Sequence, residues 1–528
     1  MRQLLRQDVQ IEPLIHGWYA WSHLVSPATA AMHVVHGHLR LMKSYVEAPE
    51  VHRAALENPA MLGGPFLDLG GKHVEAVRAH IAQTESVQAP LIELAAALKS
   101  LDEMLTNEGT GASLEPLYAR VPEALRGYVE LHYDISHRPG FRLFEPLLYR
   151  SRFYNEGTQE VLLSRIASDE RPFVLSTPRM AREASITLPM PFRFDALDAL
   201  VAARALPVDV RALGEQLRIR DVDRARFASL FEDGEARPTP RYEGEGVRVR
   251  YFGHACVLLE TRDVVILIDP TASYKYPSDP PRFTYADFPE RIDYVVMTHN
   301  HQDHVLLETL LQLRSRVGEV IVPRGGGGRL EDPSLRLALQ AIGFARVREI
   351  DALERVEVPG GSILALPFLG EHADLAIETK AAFLVELGQF RVGFFADSNN
   401  LEPRMYEEIQ RIVGDIPNVF LGMECEGAPM SWLYGPLLLK PLTRKMDQSR
   451  RLNGSNAARG QALLQTLGAK RVWIYAMGQE PWLGYVMAVR YTEASSPIVE
   501  SNALIQECRG RGMHAERLFG KMEEVFPT

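Results

Sequence analysis

The stretch that most constrains the fold and chemistry of this chain is DYVVMTHNHQDH, residues 293–304. A short β-branched segment runs into three histidines and an aspartate: His299, His301, Asp303 and His304. A strand that opens into a loop can aim alternate side chains the same way, so His299 and His301 suit one metal ion, while Asp303 and His304 can face a second. A solvated polar loop is the alternative, but composition alone rarely produces this pattern. The motif therefore predicts a two-metal site at a strand end.

Size and composition limit the classes of protein that can carry such a site. A chain of 528 residues exceeds one ordinary core, so at least two domains are expected. A net charge of −10 argues against nonspecific nucleic-acid binding. No signal peptide is recognisable, and no apolar run approaches the roughly 20 residues of a membrane span. These features predict a soluble, cytoplasmic protein with no nucleic-acid or membrane partner.

The cysteines exclude one kind of metal site. They lie far apart and form no CxxC pair: Cys256, Cys425 and Cys508. This fits reduced thiols and excludes both a disulfide scaffold and a thiolate zinc site.

The pattern of apolar and polar residues differs between the two halves of the chain. Residues 1–240 lack strand alternation and are predicted to form a mainly helical N-terminal domain. The segment 231–247, rich in Gly, Pro and charge, is the linker candidate. Residues 247–528 interleave short β-branched runs with helical stretches, which is typical of an α/β domain whose sheet is covered by helices. Three histidines of the first long helix are interpreted as ordinary helix residues rather than ligands: His33, His36 and His38.

The motif and its surroundings resemble the metallo-β-lactamase fold, an αββα sandwich that holds one or two metals. The stretches FGHACVLLE and VVILIDP resemble its opening hairpin, and by that resemblance His254 and Asp269 lie behind the metals and steady their ligands. The stretch RVGFFADSNN resembles the strand that delivers the carboxylate bridging two metals, here Asp397. An ordinary turn aspartate is the alternative for Asp397.

Two departures from the usual pattern of this fold bear on the metal. The strand SILALPFLGEH should deliver a third histidine to the first metal, but it offers both Glu371 and His372. The last strand, AKRVWIYAMGQEPW, should deliver a histidine to the second metal and has none. The one histidine after His372 is His514, which is predicted to lie in a C-terminal helix.

Counting donors shows what these departures imply. With Glu371 as a ligand, the site holds three imidazoles and three carboxylates. Zinc tolerates that set, but it favours iron, whose ferric state gains from anionic oxygen donors. The absent histidine would leave coordination positions open for dioxygen or a chelating substrate.

This combination resembles one branch of the fold, the diiron β-hydroxylases of the kind found in chloramphenicol biosynthesis, in which a large helical domain precedes the catalytic one. The resemblance covers the whole chain, including the opening LRQDVQIEPLIHGWYAWSHLVSPATAAM, the GEH triplet and the FADSNN turn. It implies an O2-dependent monooxygenase that hydroxylates the β-carbon of an aminoacyl thioester on a nonribosomal peptide synthetase carrier domain, in antibiotic-like biosynthesis. The implied metal ligands are His299, His301, Asp303, His304, Glu371 and the bridging Asp397, with His372 behind them.

The same resemblance implies cofactors and partners. Two iron ions, O2 and an external electron donor are expected, because the chain has no GxGxxG fingerprint or iron–sulfur cysteine set of its own. A homodimer is expected, with the N-terminal domain serving dimerisation or carrier docking. A local basic run is a further candidate for docking an acidic carrier, although a solvated charged face is the default: Lys440, Arg444, Lys445, Arg450 and Arg451.

Several alternatives stay open at this stage. Trp432 and Tyr434 are candidates to line an aromatic-substrate pocket, and packing beneath a loop is equally compatible with them. A dinuclear zinc hydrolase of the same fold would use a metal-bound hydroxide to attack a lactone, amide or phosphodiester. A noncatalytic, structural or ligand-sensing role is disfavoured by the six matched ligand-type positions.

Overall fold

The N-terminal region, residues 2–240, is mainly helical, as predicted; the computed structural model describes residues 2–180 and 184–527. Its helices are α1 (Ser22–Val25), α2 (Pro27–Met32), α3 (Arg40–Glu47), α4 (Pro49–Leu56), α5 (Val74–Val87), α6 (Ala89–Glu108), α7 (Glu145–Leu148), α8 (Asp195–Ala202), α9 (Val210–Gln216) and α10 (Arg224–Ala228). Its strands are β1 (Arg2–Leu5), β2 (Val9–Ile15), β3 (Trp18–Tyr19), β4 (Val129–Tyr133), β5 (Pro139–Leu143), β6 (Gln159–Arg165), β7 (Ile186–Pro189), β8 (Val208–Asp209) and β9 (Phe231–Glu232).

The prediction that this region lacks strands is wrong. β2 pairs antiparallel with β3 and β6, and β6 pairs with β7, so that a four-stranded sheet forms in the order β3-β2-β6-β7. β2 contains Glu12 and Pro13, which are both unusual inside a sheet. Glu12 is 3% exposed, and it is tolerated there because Arg171 and Arg179 each pair with its carboxylate at 2.8 Å.

The first long helix is continuous but widened in its middle. A π-helical segment, His33–Leu39, joins α2 to α3. His38 in this segment stacks on Trp18 with ring centroids 3.7 Å apart, and His33 meets Trp21 edge to face. These contacts place both histidines in an aromatic cluster of the N-terminal region.

The C-terminal region, residues 247–527, contains most of the strands. They are β10 (Val247–Gly253), β11 (Cys256–Glu260), β12 (Val265–Ile268), β13 (Ile292–Val296), β14 (Val317–Pro323), β15 (Val347–Ile350), β16 (Arg355–Val358), β17 (Gly361–Leu366), β18 (Ala382–Leu387), β19 (Phe390–Phe394), β20 (Asn418–Gly422), β21 (Arg471–Tyr475), β22 (His514–Arg517) and β23 (Met522–Phe526). Its helices are α11 (Leu307–Leu313), α12 (Leu335–Ala341), α13 (Pro403–Val413), α14 (Met430–Leu433), α15 (Arg444–Ser449), α16 (Ala457–Thr466), α17 (Gly484–Met487) and α18 (Ser496–Gly510).

These strands form two seven-stranded sheets that pack face to face. One has the order β15-β14-β13-β12-β11-β10-β23 and the other β16-β17-β18-β19-β20-β21-β22. Apolar side chains from both sheets fill the space between them, among them Val257 and Ile266 from the first and Phe383, Val392 and Trp473 from the second. Helices such as α13 and α16 cover the outer face of the second sheet. The αββα sandwich expected from the motif is therefore confirmed.

Helix α13 is an example of how the local sequence determines where a covering helix begins, which face it buries and where it ends. Pro403 occupies its first turn, and the side chain of Glu402 accepts a hydrogen bond from the backbone N–H of Arg404, so the helix begins there. Tyr406 and Ile409, three residues apart, turn the same face to the sheet and are buried. The helix ends at Gly414, whose φ of +75° suits glycine.

The prediction of a helix around His514 is wrong. α18 ends at Gly510, and His514 begins β22, which pairs parallel with β21 at the edge of the second sheet. The residue is exposed there. A four-residue edge strand directly after a helix carries little periodic signal, which explains the error.

The two regions share one apolar core. Ile11 and Val161 of the N-terminal sheet belong to the same buried cluster as Val295 of β13 and Leu310 of α11. A buried ionic network crosses the same boundary: Arg171 contacts the carboxylates of Glu12 and Glu308, each at 2.8 Å. Among the residues described, no helix is long and apolar enough to span a membrane.

Candidate metal centre

The loop with the histidine motif is fixed at its start by Asp269. The four motif residues lie in the loop between β13 and α11, and all are buried: His299, His301, Asp303 and His304. At the end of the neighbouring parallel strand β12, the carboxylate of Asp269 accepts hydrogen bonds from Thr298 N at 2.7 Å and Thr298 Oγ1 at 2.6 Å. The carboxyl ends of the parallel strands β12 and β13 thus lie side by side at one edge of the sheet, which is where α/β sheets usually bind their ligands.

His299, His301 and Glu371 form a first cluster of donor atoms. Nδ1 of His301 lies 2.6 Å from Oε1 of Glu371, and Nε2 of His299 lies 3.8 Å from Oε2 of Glu371. Glu371 has a φ of +67°, in the left-handed region that non-glycine residues adopt at a cost of about 1–2 kcal/mol. Gly370 before it packs so closely on Asn399 that a Cβ would come within 2.4 Å of the Asn399 Cβ. This tight turn aims the Glu371 carboxylate at the two histidines.

Asp397 connects this cluster to a second one. Its Oδ2 lies 2.9 Å from Nε2 of His304 and 3.8 Å from Nε2 of His299. Oδ2 of Asp303 lies 3.7 Å from Nε2 of His304. Asp397 follows β19, so a carboxylate from the second sheet stands between imidazoles carried by the first.

The donor atoms of the two clusters lie close enough together to bind two metal cations. Three buried atoms of the predicted ligands form no hydrogen bond among the described residues, namely Nε2 of His299, Oε2 of Glu371 and Oδ1 of Asp397, although Nδ1 of His372 lies 3.0 Å from Oε2 of Glu371. Buried polar atoms without a partner are costly, and a bound ion would satisfy all three. The six predicted ligand residues are brought together in groups whose donor atoms lie within 4.8 Å of one another, and His254 belongs to one of these groups, with Asp303 and His304.

Other side chains hold the outer nitrogens of the histidines. Nδ1 of His304 lies 2.8 Å from Oδ2 of Asp269. Nε2 of His301 lies 2.7 Å from the hydroxyl of Tyr434 and 3.0 Å from Nδ1 of His372. Such partners fix the orientation of a ligand ring and leave its other nitrogen for a metal. Tyr434, considered above only as a pocket residue, thus contacts the donor set directly.

His254 lies where the absent last-strand histidine would be expected. Its carbonyl accepts from Ala476 N at 2.8 Å, just beyond the end of β21, and its Nδ1 accepts from Gly478 N at 3.2 Å. A neutral ring whose Nδ1 accepts must carry its proton on Nε2. That Nε2 lies 3.1 Å from Oδ2 of Asp303, so His254 donates to Asp303 and orients it. This contact agrees with a place behind the metals.

The histidines of the two clusters differ in their affinity for a proton. Burial, followed by the surrounding imidazoles, lowers the pKa of His299 well below its ordinary value, so this ring is a neutral donor. Burial would also lower the pKa of His304, but the carboxylates of Asp397, Asp303 and Asp269 outweigh it and raise that pKa well above its ordinary value. A metal at this position would compete with a tightly held proton.

A cavity of about 510 Å³ opens onto the donor atoms. Its walls include apolar side chains from both regions, namely Phe173, Leu175, Trp432, Leu433 and Val486. A second cavity of about 900 Å³, in the aromatic part of the N-terminal region, shares Phe173, Leu175 and Trp432 as lining residues. Trp432 therefore stands between two neighbouring cavities, one of which contains the donor set.

Glu424 was not predicted from the sequence. It follows β20 and lines the metal-centre cavity with Asp303, Glu371 and Asp397. The signal that could have found it is its place after a strand in the stretch NVFLGMECE, because β19 and β20 are parallel and deliver Asp397 and Glu424 to one edge.

Comparison with protein families shows two matching models. Residues 4–234 match the N-terminal domain of diiron non-heme β-hydroxylases. Residues 248–413 match the β-lactamase superfamily domain.

Two comparisons cover nearly the whole chain. The 4-amino-L-phenylalanyl-(CmlP-peptidyl-carrier-protein) 3-hydroxylase of Streptomyces venezuelae is 41% identical over 525 residues, 98% of this chain and 98% of that protein. The crystal structure of CmlA, a diiron β-hydroxylase from Streptomyces venezuelae, superposes with a TM-score of 0.93 at 40% identity and covers 100% of both chains. A third relative, a UPF0173 protein of Pyrococcus abyssi, is 32% identical over 126 residues, 24% of this chain and 50% of that protein.

Proposed function

The chain belongs to the family of diiron non-heme β-hydroxylases, and we propose that it hydroxylates the β-carbon of an aminoacyl group carried as a thioester on a peptidyl carrier domain of a nonribosomal peptide synthetase. It is an oxygenase whose cofactor is a pair of iron ions and whose co-substrate is O2. The reaction belongs to antibiotic-like biosynthesis, as the resemblance of the whole chain implies.

The observation that carries this proposal is the donor set around Asp397. In the proposal, His299, His301 and Glu371 would hold one iron, Asp303 and His304 would hold the other, and Asp397 would be shared between them. The 2.6 Å approach of Glu371 to His301 supports the glutamate rather than His372 as the ligand. Half of these donors are carboxylates, a composition that suits iron better than zinc.

Residues around the predicted ligands hold them in fixed orientations. When bound, the two irons supply the activation of O2 and the insertion of an oxygen atom into a C–H bond. Asp269 and Tyr434 hold the rings of His304 and His301. His254 carries its proton on Nε2, where it donates to Asp303 and would steady that carboxylate as a ligand of the second iron.

The route of the substrate arm is part of the proposal. The 900 Å³ cavity is lined by Arg40, Lys99 and Arg444, and it shares walls with the metal-centre cavity. Arg444 belongs to the basic run within residues 440–451, and its neighbours Lys440 and Lys445 are exposed. A phosphate at the base of a carrier arm, and the acidic carrier itself, would find complementary charge here.

The remaining partners and boundaries are also proposals. We propose an N-terminal domain over 1–240 that serves carrier docking or dimerisation, a catalytic domain over 247–528, a homodimer and an external reductase. We also propose a cytoplasmic location. It is consistent with three cysteines that are free thiols: Cys256, Cys425 and Cys508.

Metal analysis of protein expressed with iron and zinc both available tests the function. We expect about two irons per chain and a near-ultraviolet charge-transfer absorption of the oxidised protein. Two zincs per chain, no such absorption and turnover of ester substrates would instead support a zinc hydrolase of the same fold.

A further inference from the structure

Two ring nitrogens without partners belong to side chains that line the cavity of about 900 Å³. Nε1 of Trp18 and Nε2 of His33 are buried and form no hydrogen bond among the described residues. The two residues are only 2% and 6% exposed. A buried polar atom without a partner is costly, so both nitrogens call for polar atoms of a ligand.

The local structure holds both rings in place. His33 begins the π-helical segment His33–Leu39, and wide turns of this kind are frequent at functional sites. This segment packs tightly on a turn of the C-terminal region, because a Cβ at Gly37 would come within 3.4 Å of Pro436 Cγ. The indole of Trp18 stacks on the ring of His38 with centroids 3.7 Å apart. Rings fixed in this way lose little freedom when a ligand binds.

The two rings have the chemistry that amide groups require. An indole N–H donates and cannot accept, so Trp18 suits a carbonyl oxygen. Burial lowers the pKa of His33 to about 3, so its ring is neutral near pH 7 and offers one donor and one acceptor nitrogen. A neutral imidazole can therefore pair with either the carbonyl or the N–H of an amide. Both rings favour neutral polar groups.

The other walls of this cavity match the remaining groups of a carrier arm. Three exposed cations line it and form no ion pair among the described residues: Arg40, Lys99 and Arg444. Phe173 and Trp432 line both this cavity and that of the metal centre. A phosphopantetheine arm has a phosphate, then two amides, then the thioester that carries the acyl group. Exposed cations, buried rings and shared walls correspond to these groups in turn.

We propose that Trp18 and His33 bind the two amide groups of the phosphopantetheine arm and so position the thioester beside the metal-centre cavity. This inference rests on the proposed function, in which the substrate arrives on a carrier domain. It gives the N-terminal region a direct contact with the substrate arm. Because the amides lie several bonds from the reacting carbon, both residues are positioning residues.

A binding experiment without turnover tests this assignment. Iron-loaded, oxidised protein without reductant is titrated by calorimetry with S-acetyl phosphopantetheine and with two analogues, in which one or the other amide is replaced by two methylene groups. From the usual net contribution of an uncharged hydrogen bond, the wild type should bind the parent arm roughly 2- to 10-fold more tightly than either analogue. Trp18→Phe and His33→Leu should each lose the preference for one amide, with iron content and optical spectrum unchanged.

Trp473→Phe is the matched control. Nε1 of Trp473 is also buried without a partner among the described residues, but this residue lies in the core between the two seven-stranded sheets. The control should keep both preferences. The assignment is overturned if Trp18→Phe or His33→Leu keeps both preferences, or if either variant binds all three compounds with equally reduced affinity. A wild type that prefers neither amide overturns it whatever the variants do.

The outcome is separate from that of the proposed function. Wild-type protein that hydroxylates a carrier-bound aminoacyl group but prefers neither amide would overturn this inference and leave the proposed function standing. The expected amide preferences, in protein that hydroxylates no carrier-bound group, would support the arm site and contradict the proposed function.

Discussion

Nδ1 of His301 lies 2.6 Å from Oε1 of Glu371, two residues that are 70 positions apart in the chain. In the usual pattern of this fold a histidine would stand where Glu371 stands. A carboxylate adds negative charge and oxygen ligation to the first metal position. It therefore favours iron in higher oxidation states over zinc.

Replacing Glu371 by histidine should convert the site towards the usual hydrolase pattern. We expect Glu371→His to retain part of its metal, to shift its preference from iron towards zinc, and to lose hydroxylation by at least about 100-fold. Metal analysis and product assays measure both effects. Glu378→Gln, at an exposed ion pair with Arg329, controls for the loss of one charge nearby. Hydroxylation that continues unchanged in Glu371→His would refute the role given to the glutamate.

The hydroxyl of Tyr434 should matter for metal retention. It lies 2.7 Å from Nε2 of His301, and partners of this kind typically contribute 10- to 100-fold to metal affinity. We expect Tyr434→Phe to lose iron to a chelator about tenfold faster than the wild type. Tyr45→Phe is the control, because the Tyr45 hydroxyl donates to Lys72 O and contacts none of the predicted ligands. Equal rates of iron loss in Tyr434→Phe and the wild type would show that the hydroxyl does not hold the ring.

The sequence predicted the donor set better than its surroundings. The cluster from His299 to His304 could be predicted because four possible ligands, three histidines and an aspartate, follow one strand, and Asp397 because it too follows a strand in a recognisable stretch. Glu424 and the contact of Tyr434 with His301 could not, since they belong to a segment without periodicity whose position depends on the folded chain. The N-terminal sheet was missed for another reason: the buried Glu12 in β2 is offset by Arg171 and Arg179, which lie more than 150 positions away.

The ionic network between the two regions gives a stability prediction. Arg171 is buried between Glu12 and Glu308, and burial would raise the pKa of Glu12, but Arg179 and Arg171 lower it to about 2. Arg171→Met should lower the free energy of unfolding by about 3–5 kcal/mol, because buried Glu308 then loses its ion-pair partner and Glu12 keeps only Arg179. The same change at Arg53, in an exposed pair with Glu50, should cost about 0–1 kcal/mol. Urea denaturation compares the two; equal losses would contradict the account.

Glu145 gives a pH prediction. It is 6% exposed, and burial raises its pKa to about 7 although Ser334 N donates to it. A carboxyl group whose pKa is higher in the folded state stabilises the fold below its unfolded pKa of about 4.5, and this contribution is lost as the pH rises through 7.

Glu145→Gln should remove this dependence. Relative to the wild type, the variant should gain about 2 kcal/mol in free energy of unfolding between pH 5 and pH 8. Urea denaturation at both pH values measures the gain, and Glu115→Gln, at an exposed position, controls for a lost charge. A difference between variant and wild type that stays constant with pH would contradict the prediction.

The most direct test of the central claim is the source of the oxygen atom in the product. Iron-loaded protein is reduced and exposed to ¹⁸O2 with an L-phenylalanyl or 4-amino-L-phenylalanyl carrier, and the acyl group is analysed by mass spectrometry. We predict a β-hydroxylated acyl group, still attached to the carrier, with one ¹⁸O atom taken from O2. Hydrolysis of the thioester, or a product whose new oxygen comes from water, would contradict the assignment as an oxygenase.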